Sequence, residues 1–320
     1  MMKYQTKKLL FSLAIVIATP MAYAQLGFMQ STHMHSIPTL PKAPVVQSWM
    51  NSEVGDAWAA GYKGQGTTIT FVDDFKSNSV YSGNVNGTVK LLQHGMWTSD
   101  MAKLVAPSAA INTQDLSNLN AVQLARGGLN TINLSYAIYA NSGYTANQIN
   151  WSAREQSIIN YANNGSAVIS KAAGNDYGVA VGSTNSSGKI DYLNSALMNS
   201  KSAIFVGALD KNGTTASKAN IASYSNVAGA DTAVQNKFLV VGVTGGNDSN
   251  NKLYGTSFAA PIISGYSAIL GSKFTTADAT KISNQLLSTA RTDTIANYNA
   301  STYGKGEASI ARALAPVSIR

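Results

Sequence analysis

The sequence predicts an α/β protein: a doubly wound, mostly parallel sheet with helices on both faces, built as a single domain. Three observations carry that expectation. From Trp49 onward, short β-branched runs alternate with helix-period segments, the pattern of βαβ units. No stretch repeats with a 20–50-residue period, which sets aside solenoids and propellers. The 320 residues are 45% hydrophobic but only 12% charged, so a sizeable core is available under a surface of amides and hydroxyls, 29 of them asparagines.

In chain order, Lys3, Lys7 and Lys8 precede an apolar run from Leu9 to Ala18, and Ala22-Tyr23-Ala24 follow. Basic, apolar and small-x-small segments in that order predict a Sec-type signal peptide over residues 1–24, hence export to the periplasm or beyond. The apolar run is about half the roughly 20 residues that a membrane span needs. Residues 25–47 hold Pro38, Pro41 and Pro44 without periodicity and predict a flexible arm. His33 and His35 fall in it, in keeping with a tail more than with a metal site. The domain is expected over residues 48–320. Its strands are predicted at Thr67–Asp73, Ala109–Thr113, Thr131–Ser135, Ala167–Lys171, Ala203–Ala208 and Phe238–Val243. Helices are predicted at His94–Leu104, Leu116–Arg126, Ile149–Ala162, Ser257–Gly271, Thr276–Ser288 and Glu307–Ala313. Gly182–Gly188 and Gly245–Asn251 read as loops; the second offers oxygen ligands but lacks the acidic spacing of a calcium loop. Phe258–Gly271 is apolar but contains Pro261 and is too short to span, so no integral membrane segment is expected after the leader.

Composition narrows the chemistry. With no cysteine, disulfides, thiolate nucleophiles and cysteine-ligated metals are excluded. Without the leader's three lysines the formal charge falls from +8 to +5, and no Lys/Arg run suggests a nucleic-acid partner. Of three histidines, only His94 lies in the expected domain.

Three segments have the form of a strand end or helix start, where sites gather in such sheets. Gly64–Phe75 is a turn and an apolar strand ending on Asp73 and Asp74; alone, such an acid is more often a turn cap. Gln93-His94-Gly95 opens a helix, whose positive dipole end favours a neutral imidazole. Tyr254-Gly255-Thr256-Ser257-Phe258-Ala259-Ala260-Pro261 turns tightly into another helix. There Ser257 is either an N-cap or a nucleophile beside an amide-lined pocket.

Together the order Asp73, His94, Ser257 and the segment Gly-Thr-Ser-Phe-Ala-Ala-Pro resemble the subtilisin-like serine peptidases, or subtilases, over roughly Trp49 to Ala315. Ile132-Asn133-Leu134-Ser135, Ala172-Ala173-Gly174-Asn175-Asp176 and Ile204–Ala208 fit as well. The resemblance implies Ser257 as nucleophile, His94 as general base, Asp73 as its orienter and Asn175 as oxyanion donor. It implies Ser135, Tyr136, Ala137 and Gly174 as the edge that pairs with an extended peptide. Tyr136, Tyr139 and Tyr144 either shape a pocket for large apolar side chains or pack elsewhere. The implied activity is an exported endopeptidase on polypeptides that needs no cofactor for its chemistry; a structural calcium is left open. The stretch from Gln25 to about Val46 is too short for the family's folded pro-domain, implying unassisted folding or a separate helper chain. Tyr303-Gly304-Lys305-Gly306 resembles the end of Gram-negative autotransporter catalytic domains, although no β-barrel follows. The pattern departs at Asp73-Asp74-Phe75 and at Met96-Trp97-Thr98-Ser99-Asp100, so a catalytically silent binding or structural module is the alternative.

Overall fold

Five buried, mostly apolar segments and one polar edge segment pair into one sheet, in which every neighbour is parallel. They are β1 (Thr68–Asp73), β2 (Ala110–Asp115), β3 (Asn130–Leu134), β4 (Val168–Ala172), β5 (Ala203–Leu209) and β6 (Phe238–Gly242). The order across the sheet is β6-β5-β4-β3-β1-β2. β1, β3, β4, β5 and β6 are buried at every position, as strands covered on both faces must be. β2, with Asn112, Thr113 and Gln114, is the partly exposed edge. The computed structural model describes residues 43–243 and 253–319. The expected leader, the arm as far as Lys42 and the Gly245–Asn251 loop lie outside the described residues.

Alternate side chains of each strand feed two cores. Ile69, Phe71, Val168, Ile204 and Val206 belong to one, Val72, Ile132, Leu134, Ile169 and Phe205 to the other. The first is covered by α1 (Glu53–Ala59), α2 (His94–Val105), α4 (Thr256–Lys273), α5 (Ala279–Ser288) and α6 (Ile310–Leu314); the second is covered mainly by α3 (Ala153–Asn164). α4 is buried at 16 of 18 positions, being hydrophobic all round apart from small hydroxyls. Each fully buried Ile or Leu on it contributes roughly 1.5–3 kcal/mol. α5 starts at Ala279 rather than Thr276 because Asp278 caps it, its carboxylate accepting from the Lys281 N–H at 2.8 Å.

One predicted helix is absent. Residues 116–126 form turns and irregular chain, although Leu116, Leu119 and Val122 keep a helical spacing. Asp115 starts a tight turn by accepting from the Ser117 N–H, and side chains take carbonyls that a helix would need. Arg154 Nη1 donates to Leu116 O at 2.6 Å, and Gln114 Nε2 donates to Asn118 O and Asn120 O.

Chain order and sheet order part company at β1, whose neighbours are β2 on one side and β3 on the other. Ligands of doubly wound sheets sit outside the carboxyl ends of the strands at such a switch point. Val72 pairs with Leu134, so Asp73 and Ser135 come side by side at that end.

Candidate active site

Asp73 closes β1 and is 1% exposed. His94 is the first residue of α2, and its Nδ1 lies 2.6 Å from Asp73 Oδ1. The same carboxylate accepts from Thr98 Oγ1 at 2.9 Å on Oδ2 and from the Asp74 N–H at 2.8 Å on Oδ1. A buried carboxylate is thus held by three donors, as a desolvated charge requires. Asp74 points away and caps a turn, accepting from the N–H groups of Lys76 and Ser77 and from the Ser77 hydroxyl. Burial opposes ionisation of Asp74, but those bonds outweigh it and hold its carboxyl below the ordinary value. Gly95 lets α2 approach the strand end, because a Cβ there would sit 2.8 Å from Asp74 O.

Ser257 is the second residue of α4. The turn into that helix runs through Gly255 at φ +120, backbone that L side chains rarely adopt. Pro261 lacks the N–H that would bond the Ser257 carbonyl four residues back. Ser135 Oγ supplies the missing donor at 2.8 Å, and itself accepts from Asn133 Nδ2 at 2.9 Å. The chain just after β3 is thereby fastened to the helix that bears Ser257. The Ser257 hydroxyl donates to Ser135 O at 3.3 Å, and the next side chain, Phe258, lies against the imidazole with ring centres 5.5 Å apart. Tyr81, from a short antiparallel pair of strands (Tyr81–Gly83 with Lys90–Leu92), flanks the imidazole edge-on at 5.8 Å.

Asn175 follows β4. Its Oδ1 accepts from the Thr256 N–H at 2.8 Å and from Thr256 Oγ1 at 3.1 Å, and Thr256 Oγ1 lies 3.0 Å from the Gly174 N–H as its acceptor. The amide oxygen is occupied, which leaves Nδ2 as the end of the group beside Gly255. A cavity of about 190 Å³ opens between these elements, lined by Ser135, Tyr136, Ala137, Gly174, Asn175 and Ser257 among others. Tyr139 lines it too, while its hydroxyl donates to Asp176 Oδ2 at 2.9 Å; burial, then that bond, pushes the phenol well up. Tyr136 sends its hydroxyl to Glu155, part of a buried Arg154–Glu155 pair. Tyr144 packs edge-on against Tyr192 instead.

The structure places Ser135, Tyr136, Ala137, Gly174, Asn175 and Ser257 around one cavity and pairs His94 with Asp73 at the end of β1. Sequence reasoning missed Thr98, one helical turn after His94 and so on the same face, a signal that was present in the spacing. It also missed Asn226, which anchors the Gly174–Asp176 loop through Ala173 O and the Asp176 N–H, and Lys171, buried under the cavity. Among the described residues no group of three or more histidines, aspartates or glutamates is placed to hold a metal.

A parallel sheet whose switch point carries a carboxylate-bound imidazole, packed against Phe258 next to a helix-borne serine, has the architecture of a serine hydrolase. The model of the subtilase family matches residues 66–306, and the chain belongs to that family. It is a serine-type endopeptidase acting on polypeptides. Subtilisin DY of Bacillus licheniformis is 29% identical over 278 residues, spanning 78% of this chain and 90% of that protein. Among solved structures, a lanthipeptide protease superposes with a TM-score of 0.54 at 17% identity, covering 83% of this chain and 93% of its own. The MycP1 protease of the ESX-1 type VII secretion system gives 0.51 at 18% identity, covering 86% and 88%. These distant likenesses concern the fold.

Proposed function

We propose that this chain is an exported serine endopeptidase that cleaves peptide bonds through an acyl-enzyme on Ser257. The observation that supports it best is the 2.6 Å contact of His94 Nδ1 with buried Asp73, which fixes the imidazole with Nε2 free to act as base. His94 takes the Ser257 proton as Oγ attacks the substrate carbonyl, and Asp73 stabilises the imidazolium that forms. The oxyanion is met by Asn175 Nδ2 and the Ser257 N–H. His94 then protonates the leaving amine, and water repeats the sequence to free the acid. Before attack, the Ser257 hydroxyl turns from Ser135 O toward His94; a single 3.3 Å bond holds it back weakly. An extended peptide lies along Ser135, Tyr136 and Ala137 on one side and Gly174 on the other, adding itself as a β-strand. The chemistry needs no metal.

Residues 1–24 direct export, and the mature chain works outside the inner membrane, folding with or without a separate helper. No helix among the described residues is long and apolar enough to cross a membrane. The test is hydrolysis of an unfolded protein substrate by the purified mature chain beside Ser257→Ala and His94→Ala. Loss of cleavage in both variants, each as well folded as the parent, is expected. Equal cleavage by all three would refute the assignment, and a folded but inert parent would favour the silent binding module.

A further inference from the structure

The cavity beside Ser257 has a cation in its floor. Along β4, Val168 and Ala172 face the α4 side, whereas Ile169, Lys171 and Ala173 face the α3 side. Lys171 is only 1% exposed, yet it lines the cavity. Its Nζ donates to Ala172 O at 2.7 Å and lies 2.9 Å from Asp191 Oδ2. Asp191 is itself fixed, Oδ1 accepting from the N–H groups of Ile138 and Leu193 at 2.9 and 3.2 Å. An ammonium has three donors. Ala172 O takes a hydrogen bond from one, Asp191 Oδ2 is in ion-pair contact without accepting a hydrogen bond, and among the described residues no further acceptor bonds the ammonium. A buried donor without a partner is costly, so a substrate group entering the cavity gains by supplying an oxygen.

Charge decides which oxygen. Asp191 balances Lys171, and Asp176 adds a negative charge in the cavity wall, where it accepts from Tyr139 Oη, Asn185 Nδ2 and Asn226 Nδ2. A carboxylate side chain would meet Asp176 and compete with Asp191. A cationic one would gain from Asp176 but lose against Lys171, and it would give the buried ammonium no acceptor. A hydrocarbon would displace water from the ammonium and return nothing. A neutral side chain ending in an acceptor avoids all three penalties. We infer that Lys171 is the specificity-determining residue of this pocket, and that the pocket takes glutamine at the substrate position just before the cleaved bond. The carboxamide oxygen rests on Lys171 Nζ, and glutamine's stem lies between Ala137 and Gly174. This rests on Ser257 being the nucleophile, since that fixes which substrate residue faces the cavity.

The test is a peptide series identical except for glutamine, methionine, leucine, glutamate or lysine before the scissile bond. Methionine matches glutamine in length without the oxygen acceptor. For the parent enzyme, kcat/KM for glutamine should exceed that for methionine by about tenfold or more, the effect of one hydrogen bond to a charged group. In the double variant Lys171→Met/Asp191→Asn the ratio should fall to about one. The asparagine carboxamide would keep an acceptor for the Ile138 and Leu193 N–H groups while removing the stranded charge, and circular dichroism verifies the fold. A parent enzyme that cleaves any of the other four peptides at least as well as glutamine overturns the inference, whether or not the double variant folds; so does a folded double variant that keeps the preference. Fluorophosphonate labelling separates the two levels. A labelled Ser257 with no glutamine preference sinks this inference alone, and an unlabelled Ser257 in folded protein sinks the nucleophile assignment as well.

Discussion

Replacing Asp73 by Asn removes one charge from the site while leaving its geometry nearly intact, and the hydrogen bonds show why. Asp73 Oδ1 accepts from both His94 Nδ1 and the Asp74 N–H, so the asparagine oxygen placed there keeps both. Its NH2 then faces Thr98 Oγ1, which can accept it and turn its own proton to Gly95 O, already 3.1 Å away. The imidazole therefore keeps its tautomer, and what is lost is attraction between the carboxylate and the imidazolium formed during attack. With charge centres about 4 Å apart and an effective dielectric near 20, that attraction is about 4 kcal/mol. It corresponds to a loss of about 10³-fold in kcat. The assay is steady-state hydrolysis of a chromogenic peptide, with circular dichroism and a melting curve as controls. A folded Asp73→Asn enzyme within tenfold of the parent would refute the role given to Asp73. A collapse of stability would refute the accommodation by Thr98.

Three further outcomes follow from the same contacts. Thr98→Val should lower stability by about 1–3 kcal/mol in denaturant unfolding, because it strips a donor from a buried carboxylate; an unchanged midpoint would contradict this. Gly255→Ala should reduce kcat by about 10- to 100-fold, since φ of +120 strains the backbone and the new Cβ lies 3.1 Å from Asn175 Nδ2, displacing the amide; wild-type turnover would contradict that. Burial pushes the Glu307 carboxyl above its ordinary value of 4.5, so the folded state binds that proton more tightly than the unfolded chain. Its stabilising contribution is full below 4.5 and is lost as pH rises through the raised value. Glu307→Gln should remove that component from melting temperature against pH, and parallel curves for parent and variant would count against it.

Much of this protein was legible in its sequence because five of its six sheet strands are short, fully buried segments rich in Val, Ile, Leu and Phe. Thr67–Asp73 was read to within one residue of β1, since nothing in Thr-Ile-Thr-Phe-Val competes with burial on both faces. The helix expected over Leu116–Arg126 failed because Arg154, on a later element, claims its carbonyls, and periodicity carries no record of a distant guanidinium. At the site, Gly255–Pro261 announced its turn and helix locally. Asp73 rather than Asp74 follows from strand register, and α2 places His94 on Asp73. Lys171 read simply as the end of a strand. Its partner Asp191 reaches it through a second short antiparallel pair, Tyr139–Asn141 with Lys189–Asp191, that no local pattern signalled. Contacts between residues far apart in sequence are where sequence reading gave out.

The central claim is that Ser257 is a nucleophile activated by His94 and Asp73. Its most direct test is intact-mass spectrometry of the folded mature chain after exposure to a fluorophosphonate, with peptide mapping of the adduct. One phosphonyl group on Ser257, absent from Ser257→Ala and much slower to form in His94→Ala, is the predicted result. No adduct on folded protein, or an adduct on another serine, would contradict the account.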